Sequence, residues 1–227
     1  MVCRQPRYGW SINVYSHIKD LWQAHRCAKL ILVDIPIGLP SKASRACDDE
    51  ARAALRPTRS SSVFPAPCRA VLQATSHASA CALNRGQLGK GITIQAWGIV
   101  PKIREVDEFI CGNAEARKVI RESHPEICFW ALAGKKPMAH RKKSKAGFDE
   151  RTDLLGQPLS SARLIVDTAM HSYRRKDVAK DDILDAIVLA LVAFSPKLET
   201  FPSSPESDAL GLTMEIVYAA PSAPTKE

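Results

Sequence analysis

The chain has 227 residues, 45% hydrophobic and 25% charged, a length and balance that suit one globular domain with a sizeable core. Its net charge of +8 is uneven: residues 111–160 carry ten Lys or Arg against six acids, whereas residues 201–227 carry one against four. A basic middle with an acidic tail points to a polyanionic partner such as nucleic acid, and the longest strongly apolar uncharged stretch, residues 186–196, is too short to span a bilayer.

Seven cysteines stand singly with no C-x-x-C pair, unlike a zinc site or a disulfide scaffold. They read as small core hydrophobes in a reducing compartment. With no apolar leader at the N-terminus, a cytoplasmic protein is expected.

In chain order, residues 11–15 read as a short strand and 16–26 as a helix. Leu30-Ile31-Leu32-Val33-Asp34 is an apolar run bounded by Pro36 and Gly38, the pattern of a strand buried on both faces. Residues 44–56 have helical composition closed by Pro57. The Ser- and Pro-rich stretch 59–67 is a loop, and 68–82 forms a helix. Residues 91–111 divide into two helical pieces at Pro101. A strand is expected over 118–123, with Pro125 opening a helix over 126–133. Further helices span 145–155 and 179–194. Residues 196–205 look like a linker, and 214–218 an edge strand in the tail. Strands mixed with helices throughout make this a single α/β domain, with its core over about 11–195.

Three constellations carry chemistry. Asp34 closes its strand where open α/β sheets bind ligands, at the carboxyl edge; the structural alternative is an Asx turn that stops the strand. In Lys180-Asp181-Asp182-Ile183-Leu184-Asp185, the three acids share one sector of a helix. Asp181 and Asp182 suit a first helical turn, but Asp185 lies deeper among aliphatics. A cation between these like charges would relieve their repulsion, and Mg²⁺ is the natural one. Glu122, near a strand end, is a metal-site or proton-transfer candidate. The adjoining His124 and Glu126 suit the entry of a helix. A basic run, Lys135-Lys136-Pro137-Met138-Ala139-His140-Arg141-Lys142-Lys143-Ser144-Lys145, is either a solvated loop or a phosphate-backbone contact.

Other mechanisms lack their signatures. There is no G-x-S-x-G elbow and no catalytic Cys–His pattern. Gly86-Gln87-Leu88-Gly89-Lys90-Gly91 fails the Walker spacing, which needs Gly where Asn84 stands and Ser or Thr where Gly91 stands.

Taken together, Asp34 to Pro40, Arg45 to Asp48, Ser61 to Pro67, Gly89 to Gly91, Gln95 to Trp97, Pro101 to Asp107, Glu122 to Glu126, Lys142 to Ser144 with Gly147, Glu150 and Arg151, and Asp182 to Ala186 resemble, in order, domain of unknown function 429, a family described as predicted RNase H-like nucleases. The resemblance implies an RNase H-like mixed β-sheet flanked by helices, with an acidic site for Mg²⁺ or Mn²⁺. It implies metal ligation and catalysis by Asp34, Asp182 and Asp185; Glu122, from its place at a strand end, is a further catalytic candidate, and Arg104, Lys142, Lys143 and Arg151 are the candidate nucleic-acid contacts. Such acidic clusters hold two ions about 4 Å apart. One departure stands out. The family's first strand carries an Asp, whereas this chain has no acid before Asp20, so an N-terminally shortened fold is expected, either because the chain starts late or because the first hairpin is absent and one metal position is lost.

The expected function is divalent-metal-dependent phosphodiester hydrolysis of DNA or RNA. The alternatives are a catalytically impaired nucleic-acid-binding remnant of the same fold and a phosphotransferase.

Overall fold

The apolar run before Asp34 forms a strand, and the rest of the fold arranges itself around it. The computed structural model describes residues 2–5, by backbone alone, and residues 9–219. Strands β1 (Val2–Gln5) and β2 (Gly9–Ile12) make an antiparallel hairpin that carries no acid. The strand expected at 11–15 thus lies slightly earlier. Helix α1 (Ile18–Ala24) leads to β3 (Ile31–Val33), whose Ile31 is buried while Leu32 and Val33 are half-buried. Helix α2 (Ala46–Ala54) follows, then 3₁₀ turns at Ser60–Ser62 and Arg69–Gln73.

Helix α3 (His77–Leu88) starts later than expected, because Ser76 caps it through the Ser79 N–H. Residues 68–82 are therefore a 3₁₀ turn and then a helix. Gly89, at φ 73°, ends α3, so Gly86 to Gly91 form a helix terminus and not a phosphate loop.

Helix α4 (Ile94–Gly112) corrects the expected break, running unbroken through Pro101. A proline inside a helix costs about 3 kcal/mol. Here Val100, Ile103, Val106 and Ile110 bury one continuous face, and that burial outweighs the lost hydrogen bond.

Helix α5 (Ala114–Val119) runs into β4 (Ile120–Glu122), and α6 (Pro125–Leu132) opens on Pro125 as expected. Helices α7 (Lys145–Gly156), α8 (Ala162–Ser172) and α9 (Lys180–Ala193) follow, α8 being unanticipated.

The expected linker is β5 (Glu199–Ser207), paired antiparallel with β6 (Thr213–Tyr218) around an irregularity between Phe201 and Glu206. Pro202 and Pro205 hide this strand from sequence patterning. Nor is β6 an edge. A parallel bridge between Ser123 and Val217 joins it to the end of β4, and β3 lies parallel to β4. Ile216, Val217 and Tyr218 are buried in the main core with α6 and α9, so the tail belongs to the core. Gly38, at φ 73°, sits where a Cβ would strike Met214 and the Leu212 carbonyl, which lets the loop after β3 close over β6.

The fold is α/β, with helices packed on short strand ladders. Among the described residues no helix is long and apolar enough to cross a membrane. No disulfide joins the six described cysteines: Cys47, Cys68 and Cys128 are buried as small core groups, whereas Cys27 and Cys111 are exposed.

Candidate acidic site at the β3–α9 junction

Residues far apart in the chain meet at the carboxyl end of β3. Helix α9 packs against β3, which sets its first two turns beside Asp34. A cavity of about 930 Å³ lies between them, walled by Ile31, Leu32 and Val33 on one side and by Ala186, Leu189 and Ala190 on the other. Asp34, Asp182 and Asp185 all line it. Among the described residues β3 pairs only with β4.

The acids interact strongly. Burial pushes the Asp185 carboxyl up to about 6, opposed by Lys142 and reinforced by the charges of Asp34 and Asp181. Asp34 is open to solvent at the cavity but surrounded by protein elsewhere. Burial raises its pKa, with His124 and Lys142 pulling it down and Asp182 pushing it up. Asp34 makes no hydrogen bond or ion pair among the described residues. Asp182 splits its role: it lines the cavity, and its Oδ2 also accepts the Ala179 N–H at 3.4 Å, helping to start α9.

Lys142 reaches into the cluster. Its Nζ lies 3.0 Å from Asp185 Oδ2 and 3.5 Å from Asp181 Oδ2. Burial, which would lower its pKa, is outweighed by Asp185, Asp181 and Asp34. Asp181 thus joins the site, although by sequence its first-turn position explained it fully. His124 was another residue read as merely structural. Its Nδ1 accepts the Glu126 N–H at 3.2 Å and caps α6, yet its ring also acts electrostatically on Asp34.

Glu122 does not line this cavity, but it shares a second, small pocket with Asp34 and His124. It is buried and held by Arg45, with Nη1–Oε2 at 2.6 Å and Nη2–Oε1 at 2.9 Å, while the Ile37 N–H donates to Oε2 at 2.6 Å. The same guanidinium bonds Asp48 at 2.5 Å. Burial pushes Glu122 up and Arg45 pulls it back. With its oxygens engaged by Arg45 and the backbone, Glu122 ties the loop after β3 to β4.

Arg104 and Arg151 also face inward. Arg104 Nε donates to the Leu72 carbonyl at 2.6 Å. Arg151, 1% exposed, grips Glu126 with two bonds of 2.9 and 2.7 Å and donates to the Gly147 carbonyl. Lys143 is exposed.

A model of the family described as Protein of unknown function (DUF429) matches residues 1–208. The chain belongs to this family. No curated protein and no solved structure matches it significantly.

In this DUF429 chain, the basic loop between α6 and α7 is partly neutralised from within. Lys135 pairs with Glu199 at 3.6 Å, Lys142 with Asp185 and Asp181, and Lys145 with Asp149 at 3.0 Å. Lys136, Arg141 and Lys143 show no ion pair among the described residues and are exposed.

The donor set at the junction is all carboxylate oxygen, the chemistry that Mg²⁺ and Mn²⁺ prefer. Among the described residues no three His, Cys, Asp or Glu side chains are grouped closely enough to hold a metal as they stand. By donor chemistry alone the set suits a hard divalent ion: Asp34 has no hydrogen-bond or ion-pair partner among the described residues, and Asp185 is paired with Lys142. Such an ion keeps several waters.

Proposed function

We propose that this chain is a divalent-metal-dependent phosphodiesterase acting on DNA or RNA, its acids arranged in the RNase H-like manner. The observation that carries the reading is the meeting of Asp34, from the end of a parallel strand, with Asp182 and Asp185, from a late helix, on one cavity. Asp34 and Asp185 would hold the ion, with Asp182 beside them. Bound there, Mg²⁺ or Mn²⁺ supplies water activation and charge neutralisation at a phosphate.

The protein's own groups do the rest. Asp34 keeps a free carboxylate at the strand end because no protein donor engages it. The head of α9 sets Asp185 one turn below Asp181. Exposed Lys136, Arg141 and Lys143 supply positive charge for a phosphate backbone.

The test is an assay of the purified protein on labelled single- and double-stranded DNA and RNA, with Mg²⁺, Mn²⁺ or a chelator. Cleavage should require the metal and fall by about a hundredfold or more in Asp34→Asn. Cleavage that persists in chelator, or that is undiminished in Asp34→Asn, overturns the reading.

A second reading is a nucleic-acid-binding protein without catalysis. It is favoured by the lack, among the described residues, of three grouped metal-binding side chains. Binding of oligonucleotides without cleavage at any metal concentration would select it.

A further inference from the structure

The acids at the head of α9 already have a cation, supplied by the chain itself. Lys142 Nζ stands 3.0 Å from Asp185 and 3.5 Å from Asp181, and its charge also reaches Asp34. The backbone carrying it is firmly placed. Ser144 Oγ donates to the Arg141 carbonyl at 2.7 Å and accepts the Gly147 N–H at 3.0 Å, which caps α7. At Gly147 a Cβ would collide with that same Arg141 carbonyl, so a glycine lets the turn 141–144 lie against α7. The side chain, by contrast, is a flexible four-carbon stem that remains 42% exposed. It can leave the acids without disturbing the turn.

The charge count makes such a departure meaningful. Asp34, Asp181 and Asp185 together face one ammonium, with the Asp182 charge acting on Asp34 as well, and Asp34 has no hydrogen-bond or ion-pair partner among the described residues. A single positive charge leaves the cluster under-neutralised, whereas a divalent ion shared by Asp34 and Asp185 would serve both.

We propose that Lys142 is a built-in counter-ion that competes with divalent metal for Asp185. It keeps the acids together while no metal is bound, and metal entry displaces its ammonium toward solvent. This rests on the metal-dependent reading above and adds to it a residue that sets how tightly the metal is held.

The test is Mn²⁺ binding, followed by electron paramagnetic resonance and calorimetry at one fixed pH, for wild type, Lys142→Met and Lys142→Arg. Removing the competing charge should tighten Mn²⁺ binding by about tenfold or more, since a unit charge 3–4 Å from a ligand has an effect of that order even in a partly solvated site. Lys142→Arg, which keeps the charge, should bind no tighter than wild type. Without metal, Lys142→Met should melt below wild type, and Mn²⁺ should raise its melting temperature by the larger amount. Should Lys142→Met fail to fold, Lys142→Gln carries the same expectation. Equal or weaker binding by the neutral variants, with wild type binding Mn²⁺ measurably, overturns the competition and leaves the metal reading standing. Absence of Mn²⁺ binding in every variant overturns the metal reading and the competition with it.

Discussion

Arg45 and Glu122 form a two-bonded ion pair inside the protein, 2.6 and 2.9 Å long, at side-chain exposures of 1% and 6%. The pair joins the start of α2 to the end of β4 and also holds the Ile37 N–H. Breaking one member of such a pair strands the other charge in a poorly solvated place. Glu122→Ala should therefore destabilise the fold by about 3–5 kcal/mol. Denaturant unfolding would show this, and a change below about 1 kcal/mol would mean that Glu122 is not the anchor described.

Arg151 makes a parallel case on α7. Its Nη2 bonds Glu126 and its Nη1 two backbone carbonyls, at 140 and 147. Arg151→Met should lower stability by about 3 kcal/mol or more while leaving the salt dependence of oligonucleotide binding unchanged in whatever protein remains folded. A flatter salt slope would show that Arg151 reaches phosphate after all.

Asp34 and Asp185 should respond differently from Glu122. Asp34→Asn and Asp185→Asn should each reduce metal-dependent cleavage by about a hundredfold or more, because each removes a charge at the reacting phosphate. Circular dichroism and melting temperature should stay near wild type for Asp34→Asn, since Asp34 has no hydrogen-bond or ion-pair partner to lose among the described residues. A large drop in melting temperature for that variant would make Asp34 a structural residue.

Lys143 and Arg141 test the basic loop without touching the acids. Replacing both with Ala should weaken binding to a labelled oligonucleotide similarly for every sequence. The slope of log affinity against log salt should flatten by roughly one unit for every phosphate that the loop no longer neutralises. An unchanged slope would mark the loop as merely solvated.

Asp208 governs the acid side of stability. Its side chain is fully buried and accepts the Leu39, Leu210 and Leu212 N–H groups, each at 2.9 Å, along with the Arg69 guanidinium. Burial alone would raise its pKa, but these donors together hold it below the usual carboxylate range. A depressed folded-state pKa means that the stabilisation is present above the unfolded value near 3.9 and is lost as pH falls through the lower folded value. Wild type should therefore lose stability below about pH 4, and Asp208→Asn should be less stable at neutral pH with a shallower acid loss. Parallel acid profiles for the two proteins would contradict this.

Local chemistry was legible wherever a segment's own residues decide its structure. The run Leu30 to Val33 ends in Asp34 and forms a strand because it is apolar and β-branched and is bounded by Pro36 and Gly38. Pro125 opens α6, and the aliphatics around Asp185 make α9 a buried helix. The family was legible for the same reason, since its motifs are short and lie in order along the chain.

Side-chain partnership is where local reading stopped. Nothing in the neighbourhood of Arg151 or Glu122 distinguishes a charge that meets phosphate from one that meets a buried partner many residues away. That choice is made when α6 and α7 pack together and when β4 settles beside the loop after β3. Pro202 likewise removes a donor from β5, and only the pairing of β5 with β6 shows that the ladder tolerates it. Lys142 was visible as one charge in a basic run. Its role as the cation of the acidic cluster depends on Gly147 and Ser144 holding its turn over the head of α9, because Coulomb attraction acts through the distance that folding creates and not through separation along the chain.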